Sequence, residues 1–228
     1  LNTCIENNLK NFIFSSTASV YGNCEDKKVS ENSKIRPMNP YAKSKLKLEK
    51  FIIKNSKSKK LNYIILRYFN VAGADKKLRS GLITKKSTNL IKVICQVATG
   101  KKKKIIINGN NYNTKDGTPI RDFIHVSDLA EIHYLTGKYL LKNKKSKILN
   151  CGYGKGYSVL EVVKNMNLIL TKKIPIIFGK RRNKDIKSSI SNTNKFKKII
   201  RWKPKYNNLK FILKTSLEWE KKLNTSKI

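Results

Sequence analysis

The sequence is poor in the residues that staple or punctuate a chain: four cysteines, five prolines, two histidines and two tryptophans in 228 residues. Cys4, Cys24, Cys95 and Cys151 show no C-x-x-C spacing, and His125 and His133 stand too far from them to suggest zinc. Free thiols in a reducing compartment are the plain reading. No run approaches the roughly 18 apolar residues of a membrane span, and no signal peptide opens the chain, so a cytoplasmic protein with no membrane partner is expected. Acidic residues are scarce as well, with 14 Asp and Glu against 51 Lys and Arg and a net charge of +37.

That charge first suggests a nucleic acid or an anionic membrane as partner. Arginine, however, is in short supply: seven positions (36, 67, 79, 121, 181, 182 and 201), the remaining basic residues all being Lys. The lysines are spread through every segment, the longest run being Lys101–Lys104. No arginine-rich stripe or aromatic-interleaved basic motif appears, so a solvated lysine surface is expected and a nucleic-acid partner is not. A non-catalytic basic protein that keeps an old fold as scaffold is the rival from another class, and steep salt dependence of DNA or RNA binding would mark it.

What is present is enough to build a core, since 39% of the residues are hydrophobic. "NFIFSS" at 11–16 reads as a short buried strand, followed by a polar connection over 20–39. Asn39 can cap a helix that has Pro40 at its first position and runs through "YAKSKLKLEKFIIKN". "LNYIILRYFNVAGA" at 61–74 is a second buried strand, and the resulting βαβ unit favours parallel pairing. Further on, periodicity predicts a helix over 88–100, a strand over 104–109, a turn-rich loop over 110–123, a helix over 127–142 and a strand over 147–152. A helix over 158–170 opened by a Ser158–Glu161 capping box, a strand over 174–178, a short helix over 193–200 and a last helix over 209–223 complete the chain. The fold class is α/β.

Open sheets of this kind bind ligands beyond the carboxyl ends of their strands. Ser15, Ser16 and Thr17 after the first strand, and Tyr68, Phe69 and Asn70 after the second, are therefore the polar residues of interest. Tyr41 and Lys45 share one face of the Pro40 helix, where an ammonium beside a phenol favours the phenolate. A tyrosine so tuned can exchange a proton with a sugar hydroxyl, with Thr17 placed to bridge them. The Y-x-x-x-K spacing is weak alone, because a lysine-rich chain supplies it by chance; the hydroxyl cluster one connection upstream strengthens it.

"FIFSSTASVYG" (12–22), "NPYAKSKLKLE" (39–49), "LRYFNVAGA" (66–74), "DGTPIRDFIHVSDLA" (116–130) and "RWKPKY" (201–206) occur in this order. Taken together, they resemble the UDP-glucose 4-epimerases of the extended short-chain dehydrogenase/reductase superfamily, over nearly the whole chain. The resemblance implies NAD as cofactor, taking hydride from C4 of a UDP-hexose while Tyr41 takes the hydroxyl proton, and returning it to the other face of a transient 4-keto sugar. Thr17 would assist and Lys45 would hold the tyrosine acidic, with Ser15, Ser16 and Tyr68 also on the cofactor side. For the sugar nucleotide it implies Thr17, Asn70, Asn89, Leu90, Asn108, Arg121, Arg182, Asp185 and Ser189. Asn108 stands where the family has an aromatic near the uracil. Ser189 stands where a bulky residue restricts the family's enzymes to non-acetylated hexoses, so acceptance of UDP-N-acetylhexosamines is an expectation; a related UDP-pentose 4-epimerase is another.

The family's N-terminal G-x-x-G-x-x-G turn, which cradles the NAD pyrophosphate, has no counterpart in this sequence. The chain also opens on Leu1 in what reads as the last turns of a helix. Both features suggest a C-terminal portion of an epimerase, lacking the glycine-rich segment or working beside a separate N-terminal NAD-binding one. The expected architecture is a partial Rossmann-like parallel sheet with a smaller α/β substrate-binding domain. Residues 1–75 with 123–152 would belong to the first, and 76–122 with 153–228 to the second. A homodimer is expected from the family, with the Tyr134–Lys142 helix as one contact surface.

Overall fold

The structure, a computed structural model, describes residues 2–58, 61–84, 86–182 and 185–225. Leu1 lies outside them. In chain order the elements are α1 (Asn2–Glu6), β1 (Asn11–Thr17), a 3-10 turn at Ala18–Tyr21, α2 (Pro40–Ser58), β2 (Asn62–Tyr68) and β3 (Asn70–Ala72). Then come α3 (Leu90–Ala98), β4 (Ile105–Asn108), β5 (Ile120–His125), α4 (Val126–Asn143), β6 (Lys147–Cys151) and β7 (Gly156–Ser158). The chain ends with α5 (Val159–Leu170), β8 (Ile176–Gly179), β9 (Ser188–Ser189), α6 (Asn194–Ile200) and α7 (Leu209–Thr225).

The β1–α2–β2 unit is parallel, with Ser15 opposite Leu66 and Thr17 opposite Tyr68, and β6 adds in parallel on the far side of β2. A second sheet has the order β3–β5–β7 with β9 also on β5, and β4 pairs with β8 in parallel. One hydrophobic core runs from Ile64, Leu66 and Leu149 of the first sheet through Ile91 and Ile94 of α3 to Met166 of α5 and Leu213 of α7.

The structure departs from the sequence pattern at several places, β9 being an added two-residue strand on β5. Residues 61–74 are two strands of different sheets rather than one. Phe69 breaks them: its amide donates to Cys151 O at 3.0 Å and its ring packs with Val20, Tyr21 and Val29, which turns the following residues toward β5. The loop expected over 110–123 ends early, because Ile120–Phe123 already belong to β5. Asp122 interrupts the apolar pattern there, yet it is fully buried and accepts from Tyr153 N, Gly154 N, Ser191 N and Ser191 Oγ at 2.5–3.1 Å. The short β7, glycine-led, carried no strand signal; it pairs antiparallel to β5.

Local signals that were legible behave as their chemistry requires. Asn39 accepts from Ala42 N at 2.8 Å at the start of α2, and Ser158 with Glu161 forms the capping box of α5. Gly22 has φ +65°, and a Cβ there would lie 2.0 Å from Arg36 O. Only glycine lets the strand leave the 3-10 turn so close to the returning connection.

Candidate active site

The carboxyl ends of β1 and β2 lie beside the first turns of α2. Successive side chains of that helix at four-residue steps share one stripe, which places Tyr41, Lys45 and Glu49 in a row facing the strands. The Lys45 ammonium donates to the Ser15 carbonyl at 2.9 Å and stands 5.9 Å from the centre of the Tyr41 ring. Tyr41 itself is 56% exposed, open to a ligand. Ser15 Oγ accepts from the Tyr68 hydroxyl at 2.6 Å, and that hydroxyl meets His133 Nε2 at 2.5 Å. Burial pushes the Tyr68 phenol up to about 12, against the lowering effect of its bond to Ser15.

The other two hydroxyls of the strand are engaged differently. Thr17 is buried; its Oγ1 accepts from Ser19 N and donates to Ser19 Oγ, both at 3.2 Å, capping the 3-10 turn. Ser16 points its hydroxyl into the interior, where it donates to Glu49. Glu49 in turn forms a buried two-pronged pair with Arg67. Ser16 thus joins a structural network, while Ser15, Tyr41, Lys45 and Tyr68 form the accessible group.

A cavity of about 570 Å³ lies between α3, the β4 strand and the β5 strand. It gathers Asn70, Asn89, Leu90, Asn108, Arg121, Arg182 and Asp185 from across the chain. Ser189 does not line it but pairs with Arg121 across the β5–β9 register. Asn89 caps α3, accepting from Lys92 N at 3.2 Å, so the positive end of that helix opens on the cavity. Arg121 donates to Asp185 Oδ1 at 2.9 Å, and Tyr112 donates to Asp185 Oδ2 at 3.1 Å. Burial holds the Arg121 guanidinium below its ordinary pKa, opposed by Asp185. With its amide oxygen turned inward, Asn108 accepts from Arg182 Nε and Nη2 at 3.2 and 3.1 Å. Lys102 and Lys104 also line the wall. Four cations thus face one carboxylate, an arrangement suited to a ligand with two or more negative charges.

Sequence reasoning missed Lys102 and Lys104, hidden in a run that reads as surface charge, and it missed Glu49, Arg67 and His133. Glu49 had a signal: it continues the Tyr41–Lys45 stripe by one turn. Among the described residues no cluster of His, Cys, Asp and Glu could hold a metal ion, and no described helix is long and apolar enough to cross a membrane.

A parallel sheet with hydroxyls at its strand ends, a helix-borne tyrosine–lysine pair and a cationic cavity define an α/β protein of the open parallel-sheet class. The model of the NAD dependent epimerase/dehydratase family matches residues 1–152, and the chain belongs to that family. The expectation of a missing glycine-rich segment is corrected by this match in one respect: residues 1–152 are family sequence from the first position, and the described ones build a folded α/β body. The chain is 40% identical to a UDP-glucose 4-epimerase of Azospirillum brasilense over 99% of its own length and 65% of that protein's. It therefore spans just under two thirds of that relative. A solved UDP-glucose 4-epimerase of Bifidobacterium longum, in complex with NAD+ and UDP, superposes with a TM-score of 0.92 at 32% identity, covering 98% of this chain and 67% of that one. A UDP-Glc/GlcNAc 4-epimerase of Campylobacter jejuni is 42% identical with a TM-score of 0.79, covering 97% of this chain and 67% of that one.

Proposed function

We propose that the chain carries the sugar-nucleotide site, and one side of the cofactor site, of a UDP-glucose 4-epimerase, an NAD-dependent isomerase that interconverts UDP-glucose and UDP-galactose. The observation that carries this reading is the convergence of Asn70, Asn89, Asn108, Arg121 and Arg182 on one cationic cavity. Asn70 is two residues along the chain from Tyr68, which belongs to the tyrosine–lysine group. The names of the Azospirillum and Bifidobacterium relatives support it.

On this reading Arg121, Arg182 and the α3 N-terminus hold the diphosphate, with Lys102 and Lys104 adding charge. Asp185 takes the uridine ribose, Asn108 lies near the uracil, and Asn70 with Leu90 contacts the sugar nucleotide. Tyr41 exchanges the proton of the C4 hydroxyl, with the Lys45 ammonium 5.9 Å from the centre of its ring, and Thr17 assists. The donors at the end of β1 and β2, Lys45, Ser15 and Tyr68, fit a ribose-bearing cofactor, and Ser16 braces them from within. NAD, when bound there, supplies a reversible hydride acceptor. Residues 1–75 with 123–152 form the cofactor side, and 76–122 with 153–228 the sugar-nucleotide side. Exposed Tyr134 and Leu141 on α4 support packing against a second copy as a homodimer, and four free cysteines support a cytoplasmic setting. The small side chain of Ser189 beside Arg121 favours a second reading, in which UDP-N-acetylhexosamines are also substrates.

Calorimetric titration of the 228-residue chain with UDP and with uridine tests the proposal. UDP should bind far more tightly than uridine, and Arg182→Ala or Arg121→Ala should each weaken UDP by about 10- to 100-fold, the value of a charge-assisted hydrogen bond. Tyr41→Phe should abolish epimerisation wherever the unaltered protein, supplied with NAD, shows it. Equal affinity for uridine and UDP would sink the assignment of the cavity.

A further inference from the structure

The chain has only two histidines, and one of them, His133 on α4, reaches the end of the first sheet. Its Nδ1 lies 2.8 Å from the Leu129 carbonyl and its Nε2 lies 2.5 Å from the Tyr68 hydroxyl, which donates to Ser15 Oγ at 2.6 Å. The Ser15 carbonyl accepts from Lys45 at 2.9 Å. Two hydrogen-bonded groups therefore meet at Ser15, the His133–Tyr68 chain at its hydroxyl and the lysine of the tyrosine–lysine pair at its carbonyl.

Counting protons fixes how this path can be wired. A carbonyl oxygen only accepts, so Nδ1 carries a proton. Tyr68 has a single hydroxyl proton; while it goes to Ser15, the contact at Nε2 needs a second ring proton, and the ring is an imidazolium. With the ring neutral, Nε2 is an acceptor and takes the Tyr68 proton, so Ser15 must donate to Tyr68 instead. The ring charge thus decides whether the Ser15 hydroxyl proton is spent on Tyr68 or left over.

We propose that His133 is a positioning residue that acts on the tyrosine–lysine site through Tyr68, its ring charge setting the direction of the Tyr68–Ser15 hydrogen bond. The inference rests on the reading of Tyr41 and Lys45 as the reactive pair. The titratable groups in reach of the path are Tyr68 on β2, Tyr41 and Lys45 on α2 and Cys151 on β6. Burial raises Tyr68 to about 12 and Cys151 well above its ordinary value. Neither loses its proton near neutral pH, the range in which imidazoles change charge.

The test is nuclear magnetic resonance of the whole chain labelled with 15N-histidine and 13Cζ-tyrosine, titrated from about pH 5 to about pH 9. His133→Gln, Tyr68→Phe and Tyr41→Phe assign the signals. Neutral His133 should be the Nδ1–H tautomer, and the Tyr68 signal should move with the His133 midpoint. In His133→Gln, whose amide can donate to Tyr68 at every pH, that step should vanish from the Tyr68 signal, and with it any matching step at Tyr41. Neutral His133 protonated at Nε2, or Tyr41 and Tyr68 signals that keep the same pH step in His133→Gln, would overturn the proposal. Should the Gln variant fail to fold, Tyr68→Phe read at His133 decides it from the other end, since an unchanged Nε2 signal there means no coupling. UDP binding on the same samples tests the site reading separately: loss of UDP binding with the tyrosine response intact defeats the epimerase reading and supports the hydrogen-bond path.

Discussion

Replacing Glu49 by leucine should be among the most damaging single changes in the molecule, although Glu49 touches no ligand site. Glu49 and Arg67 are 1% and 2% exposed, and the pair is two-pronged, with Arg67 Nη2 donating to Oε2 at 2.6 Å and Nε to Oε1 at 3.1 Å. Ser16 donates to the same carboxylate. Arg67 Nη1 donates to Tyr21 at 2.9 Å, and Tyr21 donates to Asn150 Oδ1 at 2.7 Å. Glu49→Leu leaves the guanidinium buried with only a neutral phenol as partner. Breaking a buried pair on one side costs about 3–5 kcal/mol, whereas replacing both partners by apolar groups of similar volume is close to neutral. For a chain of this length each kcal/mol moves the melting temperature by about 2–4 °C, so the single variant should melt about 6–20 °C lower. Glu49→Leu combined with Arg67→Met should recover all but about 1–2 kcal/mol, the remainder being the Ser16 and Tyr21 hydroxyls left with fewer partners. Far-ultraviolet circular dichroism melts and urea unfolding read both quantities. A single variant that loses under about 1 kcal/mol, or a double variant less stable than the single, would refute the reasoning.

Two further predictions concern pH and specificity. His125 caps α4 by accepting from Ser127 N at 3.1 Å through Nδ1, with Nε2 3.2 Å from Thr215 Oγ1, and burial holds its pKa below 6.5. The unfolded chain takes a proton that the folded one refuses, so the contribution of His125 is intact above about pH 6.5 and is lost as the pH falls below it. Urea unfolding at about pH 7.5 and 5.5 should show a stability loss on acidification that His125→Asn, which keeps a capping oxygen, largely removes; equal losses in both proteins would argue against it. Ser189→Tyr should weaken binding of UDP-N-acetylglucosamine while leaving UDP-glucose nearly unchanged in calorimetric competition, and equal loss for both sugars would rule out Ser189 as the determinant.

Much of the fold was legible because local signals agreed with one another. Asn39–Pro40 announced α2, Ser158–Glu161 announced α5, and the apolar runs of β1 and β2 announced a parallel pair. What escaped was set by tertiary contacts. The strand at β5 contains Asp122, whose burial is compensated by four donors from residues about 30 and 70 positions away, none of which a local pattern can display. Asn108 and Arg182 stand 74 positions apart in the sequence, and only the fold reveals that they touch. The cavity lysines Lys102 and Lys104 are indistinguishable by sequence from Lys101 and Lys103 beside them. Composition hid them, because a chain with so many lysines gives no single one a signature.

The break at Phe69 explains how two sites of different chemistry come to be adjacent. Tyr68 ends the first sheet, where its hydroxyl belongs to the path from His133 to Ser15; Asn70 begins the second sheet and lines the cationic cavity. One residue separates them, and that residue is anchored twice, by its amide on Cys151 O and by its ring among Val20, Tyr21 and Val29. Tyr21 is also the outer partner of Arg67, and so of Glu49 and the Tyr41–Lys45 stripe. The contacts that aim the helix-borne pair and the contacts that start the cavity wall therefore share Tyr21. A chain built this way can vary nearly all of its lysine-rich surface while the relation between the tyrosine–lysine group and the cationic cavity stays fixed, because that relation is set by a few buried residues near the end of β2.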